Sequence, residues 1–249
     1  MPTHFWGPED LDHQAWMEFA ARLDTAREID MLLRALDGST SVLDVGGGTG
    51  TLTTAVANKL GRCVVVEPSA AQAARIQAAP GSIIDVLPGR GEALPVADGA
   101  FDAVMATWVL QYTHDPFVAV AEMARACIDR SGGRVVLVQA APGNSMVDIY
   151  NAEARIAGLP RAHHGWLLAG ATDILEMRGF SITLAGVRSS VRFPENDPEA
   201  AASLLQRLHF TGHPRADAMR AETAPMIAEM FARSPGELTD DGVLLIARR

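Results

Sequence analysis

The chain has 249 residues, 48% of them hydrophobic and 20% charged, with a formal net charge of −9. That length suits one α/β domain with or without a small cap, and the apolar share can build a full core, which excludes global disorder. The acidic balance argues against a phosphate-tracking nucleic-acid binder, which normally shows a basic face.

The opening residues, MPTHFWGPEDLD, have no basic segment followed by an apolar run, so no secretory signal is expected. No apolar run approaches the roughly 20 residues of a membrane-spanning helix. Cys63 and Cys127 read as small buried hydrophobes in a strand and a helix, not as a disulfide or a metal pair. A reducing cytoplasm is the expected compartment. A helix is expected around QAWMEFAARLD, outside the alternating core that follows.

From residue 42 to about 139, apolar runs alternate with helix-like segments. VLDVG is a strand, and TLTTAVANKLG a helix with Leu52, Ala55, Val56 and Leu60 on one face and Gly61 as its stop. CVVVEP is the second strand, and SAAQAARIQAA a helix capped by Ser69. SIIDVLPG and FDAVMAT are the third and fourth strands. DPFVAVAEMARACID is a helix with Asp115 as cap and Pro116 at its first position, and GRVVLVQA is the fifth strand. Such continuous Val/Ile/Leu runs suit a parallel sheet buried on both faces.

Beyond residue 140 the alternation loosens, and residues 141–170 read as helical and irregular. GFSITLAGV and DGVLLIARR are a sixth and a seventh strand. The long stretch between them, about 188–240, places Leu204, Leu205, Leu208, Phe210, Met226, Ile227, Met230 and Phe231 at helical spacing, so a folded insertion is expected. The division is then an N-terminal helical cap over 1–38, a core over 39–187 and 241–249, and a helical cap insertion over 188–240, all in one domain.

SVLDVGGGTG, residues 41–50, ends its strand in glycines. A glycine-rich turn between a strand and a helix lets an adenosine-containing ligand lie against the backbone at the switch point of a doubly wound sheet. The pattern is Asp44-x-Gly46-x-Gly48-x-Gly50. A dinucleotide loop would read G-x-G-x-x-G, but Thr51 stands at its third glycine, and Lys59 is too far along for a phosphate loop. Glu67 ends the second strand, where a carboxylate can accept hydrogen bonds from ribose hydroxyls.

VLDVGGGTG, VVVEPS, GRGEALPVADGAFDAV, WVLQYTHDP and GGRVVLVQ together resemble the class I S-adenosylmethionine-dependent methyltransferases, in that family's order and spacing. The resemblance covers about residues 40–140 well and looks closest to the small-molecule branch that includes the ubiquinone and menaquinone C-methyltransferases. It implies an α/β, Rossmann-like, doubly wound sheet of seven strands with the last antiparallel, carrying a cap from the N-terminal helix and the 188–240 insertion. It implies S-adenosylmethionine as cofactor and S-adenosylhomocysteine as product. Asp44 and the Gly46, Gly48 and Gly50 turn would face the methionine part and the sugar, and Glu67 the ribose hydroxyls. Gly89, Arg90, Gly91 and Glu92 would flank the adenine, and Ala106, Thr107 and Trp108 the methionyl chain. Arg90 stands where relatives have an acid to read the adenine amino group, so a backbone carbonyl or Glu92 is left for that contact.

Methyl transfer from a sulfonium is an in-line displacement, in which a general base is optional. His209 in LHFTGHP, His164 in RAHHGW and Tyr112 near the cofactor are the catalytic candidates. His114 reads as a capping-loop residue and His163 as a surface residue. Gly212 and Pro214 break the helix that His209 and His213 would need to share a metal, so no metal is expected. Trp6, Trp16, Trp108, Trp166 and Phe210 fall in the cap or at the cofactor rim, which suits an apolar or aromatic small-molecule acceptor at C, N or O. Natural-product metabolism is the expected setting, with neither nucleic acid nor membrane as partner. Cap helices offer a route to a homodimer. The competing readings are an NAD-dependent oxidoreductase and a non-catalytic methyltransferase-like binding protein.

Overall fold

The apolar runs of the first half of the chain become the strands of one sheet. A computed structural model describes residues 12–77, 83–159 and 165–249. The chain opens with α1 (His13–Ala20), the two-residue β1 (Leu23–Asp24) and α2 (Ala26–Ala35). The alternating stretch follows as β2 (Val42–Val45), α3 (Thr51–Leu60), β3 (Cys63–Glu67), α4 (Ala70–Gln77), β4 (Ile84–Pro88) and β5 (Ala103–Thr107). A 3-10 turn (Leu110–Tyr112) leads to α5 (Pro116–Ala126) and β6 (Arg134–Ala140). Then come α6 (Ser145–Ala157), α7 (Gly165–Met177), β7 (Ser181–Val187) and β8 (Ser190–Arg192). The chain closes with α8 (Pro198–Phe210), α9 (Ala216–Arg233), β9 (Glu237–Thr239) and β10 (Gly242–Arg248). No helix among the described residues is long and apolar enough to cross a membrane.

The described residues divide into two compact units. The sheet unit holds 28–77, 83–139, 165–187 and 243–249; the helical unit holds 12–27, 140–159 and 188–242.

In the sheet unit the strand order is β4-β3-β2-β5-β6-β10-β7. β2 to β6 pair in parallel, with Asp44 opposite Val65 on one side and Met105 on the other. The chain runs outward from β2 to β4 and then returns to lay β5 on the other side of β2. Ligands of such sheets bind at that reversal, beyond the carboxyl ends of the strands. The Arg249 N–H donates to the Gly133 carbonyl at 2.9 Å, and the Ser181 hydroxyl to the Arg248 carbonyl at 3.1 Å. The end of β10 therefore lies beside the starts of β6 and β7, which makes β10 antiparallel to both, as expected.

Alternate residues of the central strands bury on opposite faces. Leu43, Val45, Val104 and Leu137 pack with Val120 and Met123 of α5 and Leu167 and Leu175 of α7. Val42, Val65, Met105 and Val136 pack with Leu32 of α2, Val56 of α3 and Ile76 of α4. Asp115 caps α5 as read from the sequence, its carboxylate accepting from the Phe117 and Val118 N–H groups.

The helical unit is built on Phe19, Ile149, Leu204, Leu205, Leu208, Ile227 and Phe231. The helical spacing read in the 188–240 stretch corresponds to α8 and α9. Unexpectedly, that stretch is also framed by two short strands. β8 pairs antiparallel with β1 and with β9 in a small sheet, Val191 lying opposite both Leu23 and Leu238.

Two boundaries differ from the sequence reading. Residues 28–38, expected in the N-terminal cap, belong to the sheet unit, because Leu32, Ala35 and Leu36 bury against the sheet. Residues 140–159, expected in the core, belong to the helical unit, where Met146, Ile149 and Ala154 find their packing.

Candidate functional site

The glycine turn leaves β2 and opens α3. Gly46, Gly48 and Gly50 have φ of +81°, +54° and +81°, a region that side-chain-bearing residues rarely adopt. Neighbouring strands hold the turn: the Gly46 N–H donates to the Val66 carbonyl at 2.8 Å. A Cβ at Gly46 would sit 2.7 Å from Val109 Cγ2, and one at Gly47 2.7 Å from Val65 Cγ1. A Cβ at Gly48 would meet nothing within 4 Å. Gly46 and Gly47 therefore let the turn press onto β3 and the segment after β5, while Gly48 presents bare backbone to open space.

Glu67, at the end of β3, is 4% exposed. Its Oε2 accepts from the Gly48 N–H at 3.0 Å and its Oε1 from the Ser69 N–H at 2.9 Å. Two backbone donors thus fix the carboxylate beside the turn. Each oxygen of an ionised carboxylate has two lone-pair sites, so such a group can accept several hydrogen bonds.

Asp44 lies inside β2 at 1% exposure. Its Oδ2 accepts from the Thr53 hydroxyl at 2.6 Å, which ties strand to helix across the turn. Its Oδ1 is buried without a partner among the described residues. Burial, followed by the charge of Glu67, pushes the carboxyl up to about 7, against the opposing pull of Thr53.

The other wall follows β5. Trp108 has φ +58°. For an aromatic residue that conformation costs about 1–3 kcal/mol, and it persists only where the surroundings over-determine it. Three hydrogen bonds do so here. The Trp108 N–H donates to Val138 O at 2.9 Å, and the Trp108 carbonyl accepts from Gln111 Nε2 at 2.9 Å. Its indole Nε1–H donates to Glu28 Oε1 at 2.8 Å. The strained turn seats Val109 against Gly46. Glu28 is 2% exposed, and burial raises its carboxyl to about 7 although the indole bond opposes the rise. Gln139, one residue beyond Val138, is fully buried with neither amide atom partnered among the described residues, and Gln111 Oε1 is equally unpaired. The sequence reading missed Glu28, Gln111 and Gln139. For Gln139 the signal was a lone glutamine in an apolar strand.

The stretch from Gly89 to Glu92 lies past β4. Gly91 is packed: a Cβ there would be 3.2 Å from the Ala119 Cβ. Glu92 Oε1 accepts from the His114 and Asp115 N–H groups at 2.6 and 3.2 Å, so this carboxylate fastens the start of α5. Arg90 forms an isolated bridge with Ala93. Thr107 is half-buried at the end of β5, and Tyr112 is half-buried in the 3-10 turn.

Asp44, the glycine turn, Glu67, Thr107 and Trp108 thus gather at the carboxyl ends of β2, β3 and β5. His209 belongs to the helical unit, where its Nδ1 lies 2.7 Å from Glu153 Oε2. His163, His164 and Trp6 lie outside the described residues. Of the other aromatics, Trp16 stacks on Phe19, Trp166 meets Phe117 edge-on, and Phe210 is fully buried.

Residues 43–137 match the family model described as a methyltransferase domain. That stretch, less than half of the chain, is similar to methyltransferase domains, in line with the resemblance its motifs carry. A demethylmenaquinone methyltransferase of Mycolicibacterium vanbaalenii is 34% identical to this chain over 128 residues, 50% of the chain and 53% of that protein. The chain spans about half the length of the curated relatives it matches. Among solved structures, the YcgJ protein of Bacillus subtilis superposes with a TM-score of 0.61 at 17% identity, over 89% of this chain and 97% of that one. Geranyl diphosphate methyltransferase, solved with GPP and sinefungin, superposes with a TM-score of 0.55 at 18% identity, over 89% of this chain and 77% of that one. At such identities the two structures speak for the fold alone. The matched stretch contains Asp44, the glycine turn, Glu67, Gly89 to Glu92 and Trp108.

Proposed function

We propose that the protein transfers a methyl group from S-adenosylmethionine to a small organic acceptor. The observation that carries this reading is the Glu67 carboxylate, buried at the end of β3 and held by the N–H groups of Gly48 and Ser69 beside a turn open at Gly48. Glu67 would hold the ribose hydroxyls. The turn and Asp44, with its unpartnered Oδ1, would hold the sugar and methionyl part. The backbone of Gly89 to Glu92 would flank the adenine. Because Glu92 fastens the start of α5, a backbone carbonyl is the better partner for the adenine amino group. When bound, the cofactor supplies a methyl carbon made electrophilic by its sulfonium. The chain's part is to hold donor and acceptor in line, and well-oriented reactions of this kind gain about 7–11 kcal/mol from positioning.

The acceptor in this reading is an apolar or aromatic small molecule, and the setting natural-product metabolism. A relative named for demethylmenaquinone supports a lipophilic acceptor. Hydrogen exchange with and without S-adenosylhomocysteine tests the cofactor's place. Protection should appear over residues 46–51 and at Ser69. Protection elsewhere with none at the turn contradicts the reading.

A further inference from the structure

The two edges of the seven-stranded sheet are built differently. At one edge β4 carries Asp85, paired with Arg62, and ends in Pro88. Charges and proline of this kind keep a sheet edge from pairing with another chain. At the other edge β7 reads SITLAGV, seven residues with neither charge nor proline. Its inner side pairs with β10, and among the described residues no other backbone bond reaches 181–187. Leu184 is 58% exposed and Met177, at the end of α7, 78% exposed. They are the two most exposed large apolar side chains among the described residues. Ile182 packs on the α5 and α7 side of the sheet and Val187 on the other, so Leu184 and Gly186 share the side of Ile182. A Cβ at Gly186 would meet nothing within 4 Å.

This edge is complementary to itself. A two-fold axis needs a patch that fits its own copy, and an antiparallel strand pair has that symmetry. Leu184 is the midpoint of Ser181–Val187, so the register that pairs the whole strand sets Leu184 against its own copy on the axis. Ile182 then faces Gly186 of the second copy, a large side chain over open space, on both sides of the axis. A register centred on Thr183 or Ala185 leaves two residues of each strand unpaired and loses this fit. The charges fit as well. Arg188 follows β7 and falls opposite Phe180 of the second copy. Phe180 closes the turn after α7, in which the Gly179 N–H donates to the Glu176 carbonyl at 2.9 Å. The register therefore brings Arg188 to Glu176 of the second copy. Both residues are exposed, and neither pairs with an opposite charge among the described residues.

We propose that two copies of this chain join edge to edge, β7 pairing antiparallel with β7 about Leu184, so that their sheets run on as one. The surface belongs to the sheet unit and is distinct from the cap helices considered as a dimer route above. Seven paired residues fall short of the roughly 20–30 residues a side of a standard interface, so the dimer is weak and forms with rising concentration.

Sedimentation velocity from dilute to concentrated protein tests this. The wild type should pass from monomer to dimer. Leu184→Lys sets two ammonium groups against each other on the axis and should lower dimer affinity at least about ten-fold. Its Tm should not change, because the side chain is exposed. Glu176→Arg removes two exposed ion pairs and should weaken the dimer about 2- to 30-fold, and adding Arg188→Glu should restore it. Directly opposed residues of an antiparallel pair have Cβ atoms about 4.5–5.5 Å apart, near the reach of a disulfide. Leu184→Cys should therefore link two copies when treated with oxidised glutathione, and Thr183→Cys, which faces Ala185, should not. Cys63 and Cys127 are buried, so the introduced thiol is the one that reacts. A wild type that stays monomeric at every concentration overturns the proposal. So does a dimer that Leu184→Lys leaves intact, or equal cross-linking of the two cysteine variants. Hydrogen-exchange protection of the β7 amides by an added extended peptide, in protein that stays monomeric, would give the edge another occupant and overturns it too.

Discussion

Glu67→Gln is the most informative single change in the cofactor site. The native carboxylate accepts from two backbone donors, Gly48 N–H at 3.0 Å and Ser69 N–H at 2.9 Å. A glutamine offers one oxygen and one NH2 group. It can satisfy one of those donors and must turn its own N–H groups towards the other. One hydrogen bond to a charged group is lost, worth about 1.5–3 kcal/mol. Ser69 is buried, so an unmet N–H there keeps its desolvation penalty. In a chain of this size each kcal/mol moves Tm by about 2–4 °C, so unfolding should come about 3–12 °C earlier. Cofactor binding should suffer separately, because a neutral amide accepts more weakly from ribose hydroxyls. A loss of about 1–3 kcal/mol there is a 5- to 150-fold rise in Kd for S-adenosylhomocysteine. Thermal denaturation and calorimetry read the two effects independently. Unchanged Tm together with unchanged Kd would refute the role given to Glu67.

Two further outcomes follow from the same turn. Gly46→Ala should be strongly destabilising, by more than about 1–3 kcal/mol, since φ is +81° and the new Cβ would lie 2.7 Å from Val109. Gly48→Ala meets open space, so it should fold with a loss near 1 kcal/mol yet bind S-adenosylhomocysteine far more weakly; equal behaviour of the two variants in denaturation would contradict this. Asp44 predicts a pH effect. Its folded carboxyl is raised from 3.8 to about 7 by burial, so the folded state holds its proton more tightly than the unfolded chain. The stability this contributes is present below about pH 4 and is lost as pH rises through 7. At about 1.4 kcal/mol per pH unit, the loss is on the order of 3–4 kcal/mol. Asp44→Asn keeps an oxygen for Thr53 and carries no charge, so the difference in urea stability between variant and wild type should grow in the variant's favour from pH 4 to 7.5. A flat difference would show that Asp44 is not a buried acid.

Much of the sheet was legible because the central strands are short apolar runs, β2, β3 and β4 being closed by Gly46, Pro68 and Gly89. The glycine turn and Glu67 were legible for a related reason: close backbone approach and a strand-end carboxylate leave few residue choices. The small three-stranded sheet was not. Its strands of two or three residues, such as Leu23–Asp24, are too short for any alternation to show. Glu28 and Glu153 were equally hidden. Each sits in a helix among other polar residues and looks like a solvated face, and only the fold brings up Trp108 or His209 to bury it. Glu92 was read as a possible adenine contact, but the carboxylate serves the backbone of the next helix. Trp108 gave no sign of its left-handed backbone, because three tertiary hydrogen bonds impose it.

The central claim is that the turn after β2 and the carboxylate after β3 hold the adenosyl part of a methyl donor. Thermal unfolding with S-adenosylhomocysteine, with NAD and with neither tests it most directly. A ligand of the native state at 100 times its Kd adds about 2.7 kcal/mol, or roughly 5–10 °C here. The account predicts that rise with S-adenosylhomocysteine, a smaller one in Glu67→Gln, and none with NAD. A rise with NAD and none with S-adenosylhomocysteine would contradict it.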